Sequence, residues 1–171
     1  MIKIDDFRVI DDFPKKGIKF YDITPILNNA DTLKKFFDEL LQAVKAVNPD
    51  VIVAMETRGY FFGPSIALAL NLPFVPVRKK GKLPYKTYCK EYKLEYGMDA
   101  IEIHEDAMGE GKRVLLFDDI LATGGTANAA ISLLKNFNPS SINLLFIMEL
   151  KNLNGRQRLG EADSVQSLLS I

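Results

Sequence analysis

Apolar residues fall along this chain in two rhythms. Residues 51–55, 73–78, 114–117 and 142–148 are short, nearly unbroken apolar runs, the pattern of strands buried on both faces. Between them apolar positions recur at helical spacing. Leu33, Phe36, Phe37, Leu40, Leu41, Val44 and Val47 make one stripe and predict a helix over residues 31–47, capped by Asp31 and stopped by Asn48-Pro49. Pro64 suits the first turn of a second helix, running to about Leu70. Ala129, Ala130, Leu133, Leu134 and Phe137 stripe a third, ending near Phe137. Residues 152–159 read as a turn or short helix and 165–169 as a last edge strand. Buried strands alternating with helices imply right-handed βαβ crossovers, hence an α/β fold with a parallel sheet flanked by helices. Ligands of such sheets sit outside the strand carboxyl ends.

The remaining stretches lack either rhythm. Residues 1–12 are weakly patterned and read as a short helix, residues 13–17 as a loop, and residues 18–25 as an extended segment ending before Pro25. Residues 79–86 carry Lys79, Lys80, Lys82 and Lys86 with Gly81 and Pro84 among them, the make-up of a mobile basic connection. Residues 87–96 are tyrosine-rich and pair with residues 101–103 as a two-stranded arm.

Composition narrows the picture. At 171 residues the chain reads as a single domain over 1–171, and the balance of 22 Lys+Arg against 22 Asp+Glu argues against a nucleic-acid binder or a polybasic membrane anchor. The single Cys89 fits a reducing compartment, acids stand where a signal peptide needs an apolar core, and no apolar run has membrane-spanning length. The expectation is a cytoplasmic protein with no nucleic-acid or membrane partner.

The chemistry concentrates where the run at 114–117 ends, in Asp118-Asp119-Ile120-Leu121-Ala122-Thr123-Gly124-Gly125-Thr126. A loop between a strand and a helix amino terminus aims backbone N–H groups at one spot, and the helix dipole favours an anion there. Gly124 and Gly125 let the backbone come close, and Thr123 and Thr126 can donate hydroxyl hydrogen bonds. A phosphate is the natural guest. Two tandem carboxylates suit neighbouring hydroxyls or a hydrated Mg²⁺ instead. A phosphate at one end and a diol in the middle describe a ribose 5-phosphate. No Gly-Lys-Ser/Thr follows the glycines, so this is not a Walker A loop, and the spacing of a dinucleotide fingerprint is missing.

This stretch resembles the binding motif of the type I phosphoribosyltransferases, which use phosphoribosyl pyrophosphate (PRPP). Further segments narrow the resemblance to the adenine-using branch of that family: residues 12–25, Glu56-Thr57-Arg58-Gly59-Tyr60, Val75 through the Arg78-Lys79-Lys80-Gly81-Lys82-Leu83-Pro84 run, and Tyr92-Lys93-Leu94-Glu95-Tyr96-Gly97. It covers the chain from about Asp12 to Leu159. The resemblance implies a small hood over about 1–27, a lid and β-arm over about 79–103, and transfer of the phosphoribosyl group to adenine, giving AMP and pyrophosphate. It assigns the PRPP to Asp118, Asp119, Ala122, Thr123, Gly124, Gly125, Thr126, Arg58, Arg78 and Lys82. Asp118 and Asp119 would fix the ribose hydroxyls, Arg58 the pyrophosphate beside a cis peptide at Glu56–Thr57, and Arg78 the PRPP of a neighbouring subunit in a homodimer. Glu95, with Arg58 and Asp119, is implied as catalytic, handling a proton on the purine imidazole. Lys19, Phe20, Tyr21 and Ile120 are implied for the base, Phe20 and Ile120 on its two faces. Mg²⁺ is implied as cofactor, carried by the PRPP rather than by a firm protein ligand, with a reach through water to Asp118.

The chain departs from the family pattern where Tyr21 replaces an arginine, where Tyr85 replaces a glycine after Leu83-Pro84, and in a short segment before Asp12. His104, the only histidine, reads as structural or surface. The rivals are a transferase for xanthine, guanine or hypoxanthine, and a PRPP-sensing regulator without catalysis.

Overall fold

The computed structural model describes residues 2–94 and 97–171, and the chain divides into two compact units, residues 1–43 and 44–171. The first opens with a 3-10 turn at Ile4–Asp6 and an antiparallel hairpin of β1 (Arg8–Asp11) and β2 (Lys19–Asp22). The expected amino-terminal helix is thus a single turn followed by a strand. What makes residues 8–11 a strand is their pairing with residues 19–22, and four residues carry too little pattern to announce it. Asp12, at φ 59°, closes the hairpin by accepting the Gly17 N–H at 2.6 Å. The Phe13–Pro14 bond within it is cis.

The extended segment at 18–25 ends sooner than expected. Asp22 accepts the Thr24 N–H at 2.9 Å and its hydroxyl at 2.7 Å, which starts a short helix α1 (Thr24–Leu27) with Pro25 in its first turn. Helix α2 (Ala30–Val47) follows. Its cap is Asn29, not Asp31: Asn29 Oδ1 accepts the Thr32 N–H at 2.9 Å, leaving Asp31 in the first turn, where its charge suits the dipole. Of the expected stripe, Phe36, Leu40 and Val44 are fully buried and Leu33, Phe37, Leu41 and Val47 flank them half-buried. Asn48, at φ 52°, ends the helix in the left-handed conformation asparagine tolerates.

The second unit holds β3 (Val51–Met55), α3 (Gly63–Ala69), β4 (Phe74–Lys79), β5 (Thr87–Leu94), β6 (Gly97–His104), β7 (Arg113–Leu121), α4 (Gly125–Leu134), β8 (Ser141–Glu149) and β9 (Ser164–Ser170). Its sheet runs in the order β5-β6-β4-β3-β7-β8-β9. The pairs from β4 to β9 are parallel, whereas β6 joins β4, and β5 joins β6, antiparallel. The arm is therefore an extension of the main sheet, joined to it where Arg78 pairs with Glu102 and Lys79 with Ile101. Every residue of β3 is buried, and Val53, Leu116, Leu144 and Phe146 pack with Ala130 and Leu134 of α4 in one core. At the strand starts, Asp50 grips Arg113 through Nη2 at 2.7 Å, Nε at 3.1 Å and the backbone N–H at 2.8 Å, tying β3 to β7.

One strand outruns its expectation. The apolar run predicts four residues for β7, which has nine. Its ladder with β3 stops at the Ala54–Phe117 pair, while its ladder with β8 continues through Asp118, Ile120 and Leu121. Beyond Phe117 one edge of β7 is thus released from β3, and the two acids lie within that stretch rather than after it. Among the described residues no helix is long and apolar enough to cross a membrane.

Candidate active site

The released edge of β7 is met by the loop that leaves β3. A Cβ on Gly59 would lie 3.1 Å from the Phe117 carbonyl oxygen and 3.4 Å from Asp118 Oδ1, so a small residue is needed for the loop to come this close. The Glu56–Thr57 bond is cis. Arg58 places Nε 2.8 Å from Asp119 Oδ2, and Asp119 is only 5% exposed. Asp118 is half-buried, and its Oδ1 accepts the Asp119 N–H at 2.9 Å. Burial, and then the neighbouring Asp119 charge, push the Asp118 carboxyl well above the usual carboxylate range. Burial lifts Asp119 too, opposed by the Arg58 guanidinium. Thus Arg58 and the Asp118–Asp119 pair, about sixty residues apart in sequence, share one cluster.

The strand then leads into the loop Ala122-Thr123-Gly124. Gly124 has φ +77° and is the cap residue of α4, with no side chain capping the helix. The first N–H groups of α4 have no partner within the helix, which leaves its positive end to an anion. The loop is backed by a residue that the sequence reading did not single out. A Cβ on Gly124 would fall 2.4 Å from the Gly155 carbonyl oxygen, and one on Gly155 would fall 2.1 Å from the Ala122 carbonyl oxygen. On another side, a Cβ on Gly125 would lie 3.3 Å from the Lys93 carbonyl oxygen, so β5 of the arm approaches the start of α4. Nothing in the local pattern around Gly155 signals such a contact, because its partner lies some thirty residues earlier.

The basic connection after β4 is tied down by acids. Glu56 takes Arg78 Nε and Nη2, both at 3.2 Å, and the Lys79 N–H at 3.1 Å. Arg78 Nη1 reaches the Lys82 carbonyl oxygen at 3.1 Å. Glu102, 4% exposed on β6, accepts the N–H groups of Lys82 at 2.9 Å and Leu83 at 2.8 Å through Oε1. Arg78 holds the Glu56 carboxyl below its ordinary value, and backbone N–H groups do the same for Glu102 against the effect of its burial. Lys79 and the Tyr92 hydroxyl meet Asp99 at 2.8 and 3.3 Å. Glu95, the expected acid/base, lies outside the described residues. His104 packs edge-on against Tyr85 with ring centres 6.2 Å apart and its Nε2 buried.

Within the first unit, Lys19, Phe20 and Tyr21 are consecutive on β2, Lys19 exposed and the two aromatics half-buried. Phe20 meets Phe13 edge to face at 5.2 Å. Ile120, in the second unit, is half-buried on β7.

Comparison with known proteins agrees with this geometry. The model of the phosphoribosyl transferase domain matches residues 22–166. The adenine phosphoribosyltransferase of Clostridium novyi is 46% identical over 159 residues, 93% of this chain and 92% of that protein. The crystal structure of adenine phosphoribosyltransferase from Thermoanaerobacter pseudethanolicus superposes with a TM-score of 0.90 at 46% identity, covering 96% of this chain and 95% of that one. The Saccharomyces cerevisiae enzyme, solved with an imino-altritol bisphosphate and adenine, gives a TM-score of 0.87 at 41% identity, covering 95% and 94%. With its acid pair at the released edge of β7 and its glycine-capped helix behind, the chain belongs to the phosphoribosyl transferase family, within the group of the adenine phosphoribosyltransferases.

Proposed function

We propose that this protein transfers the phosphoribosyl group of PRPP to adenine, releasing AMP and pyrophosphate, and so salvages a purine base. The observation that carries the reading is the continuous path along β7: two carboxylates on a strand edge, then a glycine-capped helix start three residues beyond Leu121. A diol beside a phosphate matches that order of groups. The relatives named as adenine phosphoribosyltransferases, and the yeast enzyme that holds adenine, support the choice of base.

The roles follow from the chemistry of each group. Asp118 and Asp119 accept the ribose hydroxyls. Ala122, Thr123, Gly124, Gly125 and Thr126 receive the 5′-phosphate through backbone N–H groups and hydroxyls. Arg58 offers its fork to the pyrophosphate, and holding the sugar in line supplies much of the rate. Lys19, Phe20 and Tyr21 are assigned to the base, as is Ile120, and Glu95 to the proton on its imidazole. Arg78 and Lys82 are assigned to PRPP, Arg78 to that of a second copy in a homodimer. The reaction is placed in the cytoplasm.

Mg²⁺ fits this donor set as an ion carried by the substrate. Among the described residues no three His, Cys, Asp or Glu side chains cluster to hold a metal, and Asp119 is engaged with Arg58. Asp118 would then be the residue to meet such a hydrated ion through water. The chemistry such an ion would supply is to offset charge on the departing pyrophosphate. The test is PRPP-dependent conversion of adenine, hypoxanthine, guanine and xanthine, with and without Mg²⁺. Turnover of adenine alone supports the reading, and equal turnover of another base overturns it.

A further inference from the structure

Of the buried acids among the described residues, Asp119 belongs to the site and Glu102 to the basic connection, but Glu149 belongs to neither. It ends β8 at 7% exposure, in a bidentate pair with Arg156. Arg156 Nε meets Glu149 Oε1 at 2.9 Å and Nη2 meets Oε2, while Nη1 meets the Val165 carbonyl oxygen on β9 at 2.7 Å. The Ser167 hydroxyl donates to Glu149 Oε2 at 3.1 Å. Every nitrogen of the guanidinium is therefore spoken for, and the turn that carries it, Gly155–Arg158, is tied to the end of β8 and to the backbone of β9.

The residue before Arg156 is the one that backs the phosphate loop. Gly155 does not have a positive φ, so the need for glycine there is steric: any Cβ would enter the Ala122 carbonyl. Two further ties run from the same segment to the elements on either side of that loop, the end of β7 and the first turn of α4. The Leu150 N–H donates to the Leu121 carbonyl at 2.9 Å, and the Gly160 N–H to Asn128 Oδ1 at 3.2 Å. Residues 150–160 thus form a strap behind β7–α4, and the Glu149–Arg156 pair fastens the middle of it.

We infer that Glu149 and Arg156 are positioning residues for the 5′-phosphate of PRPP: by pinning Gly155 against Ala122 and Gly124 they fix the N–H groups at the start of α4. The inference rests on the assignment of that loop to the 5′-phosphate. Arginine is needed because its planar fork satisfies two strands at once, which a lysine ammonium cannot do with the same geometry. Supporting groups of this kind set how well a backbone cradle fits its anion, and so act on affinity before rate.

Wild-type kinetics come first, since absence of PRPP-dependent AMP formation would remove the assignment of the site itself. Arg156→Met, Arg156→Lys and Glu149→Gln are then compared for KM of PRPP and adenine, and for inhibition by ribose 5-phosphate and by pyrophosphate. Loss of a charge-assisted pair is expected to raise KM for PRPP about tenfold in Arg156→Met and less in Arg156→Lys. Inhibition by ribose 5-phosphate weakens in parallel, while pyrophosphate inhibition and KM for adenine hold. A purely structural role would lower kcat through the active fraction and leave these affinities alone. Unchanged ribose 5-phosphate affinity, or an equal loss for pyrophosphate, overturns the inference. Should Arg156→Met fail to fold, Arg156→Lys and Glu149→Gln carry the same comparison.

Discussion

The released edge of β7 and the basic connection after β4 are both assigned to the same anionic ligand, yet they are built in opposite ways. The first is made of backbone. A strand loses its partner after Phe117, a glycine caps a helix at φ +77°, and Gly155 fits where no Cβ can. The second is made of side chains. Glu56 and Glu102, from β3's exit and β6, hold Arg78, Lys79, Lys82 and Leu83 by charge-assisted hydrogen bonds. A backbone cradle is rigid because its shape is fixed by sheet register and close packing. A connection held by carboxylates can let go and re-form, which suits a segment that must admit a ligand and then close. Each construction has its own weak point, and substitutions can show which one governs.

The largest effect is expected at the released edge. Asp118→Asn with Asp119→Asn should lower kcat/KM at least about a thousandfold, through lost positioning and charge, with the circular dichroism spectrum unchanged. A folded double variant with near-wild-type kcat/KM would refute the ribose assignment. The single variants separate burial from pairing. The Asp118 carboxyl is raised by burial, so the folded state binds its proton more tightly than the unfolded state does. Its charge therefore reduces stability as pH rises from the unfolded value through the folded one. Asp118→Asn should raise Tm at neutral pH and leave it little changed at low pH. Asp119→Asn should not, because it also deprives Arg58 of its 2.8 Å partner.

A smaller effect is expected at the basic connection. The Lys82 and Leu83 N–H groups both land on Glu102 Oε1, an oxygen that glutamine keeps. Glu102→Leu should raise KM for PRPP about tenfold, as two backbone donors lose a charged acceptor, while Glu102→Gln should stay within about threefold. Equal kinetics for Glu102→Leu and wild type would mean that the connection is not held by carboxylates. The pH dependence runs opposite to that of Asp118. Glu56 and Glu102 are lowered, so their contribution to stability is present above their unfolded values and lost as pH falls through the folded ones.

The same contrast explains what could be read from the sequence. The buried runs, the helix stripes and the Asp-Asp…Thr-Gly-Gly-Thr stretch are local signals, and each one located its strand, helix or loop to within a few residues. β7 was read too short because Asp118 and Asp119 break the apolar run, while hydrogen bonds to β8 continue regardless of side-chain polarity. The cap is Asn29 rather than Asp31 because both residue types are competent, and only the chain path selects one. Glu56 was visible only as part of a motif, and its pairing with Arg78, like the roles of Glu102 and Gly155, left no trace in the sequence, since the partners lie on other strands or loops. Even the motif resemblance gave Arg58 and Asp119 separate duties without indicating that they pair.

Hydrogen exchange can sharpen the comparison along one continuous segment. Residues 79–83 hang on Glu56 and Glu102, whereas among the described residues no carboxylate takes the backbone of 84–86, where the Lys86 carbonyl accepts the Glu105 N–H at 3.0 Å. Protection of 84–93 is expected to rise several-fold on adding PRPP and an inert base analogue, while 79–83 and the α4 start are protected in both states. Uniform exchange across 79–93, or no response to ligand, would sink a lid with a fixed base.

The smallest effect is expected at Tyr21. The family pattern has an arginine here, so the departure asks whether the side chain or the backbone reads the base. β2 belongs to a two-stranded sheet and pairs with β1, Val9 opposite Tyr21. A strand backbone offers alternating N–H and C=O groups, the pattern a purine edge can match. Adenine offers an amino donor beside a ring acceptor, and hypoxanthine a carbonyl beside a ring N–H. A backbone pair matched to the first leaves buried groups unpaired with the second, which costs orders of magnitude in selectivity. The phenol ring would then add stacking area and a hydroxyl, felt mainly in KM. Tyr21→Phe and Tyr21→Arg should therefore both keep the preference for adenine over hypoxanthine and guanine, and shift KM for adenine only about two- to fivefold. The measurement is kcat/KM for the three bases in wild type and both variants. Preference lost only in the variants would assign recognition to the Tyr21 side chain. Preference absent from the wild type would remove backbone readout and favour a transferase for another purine.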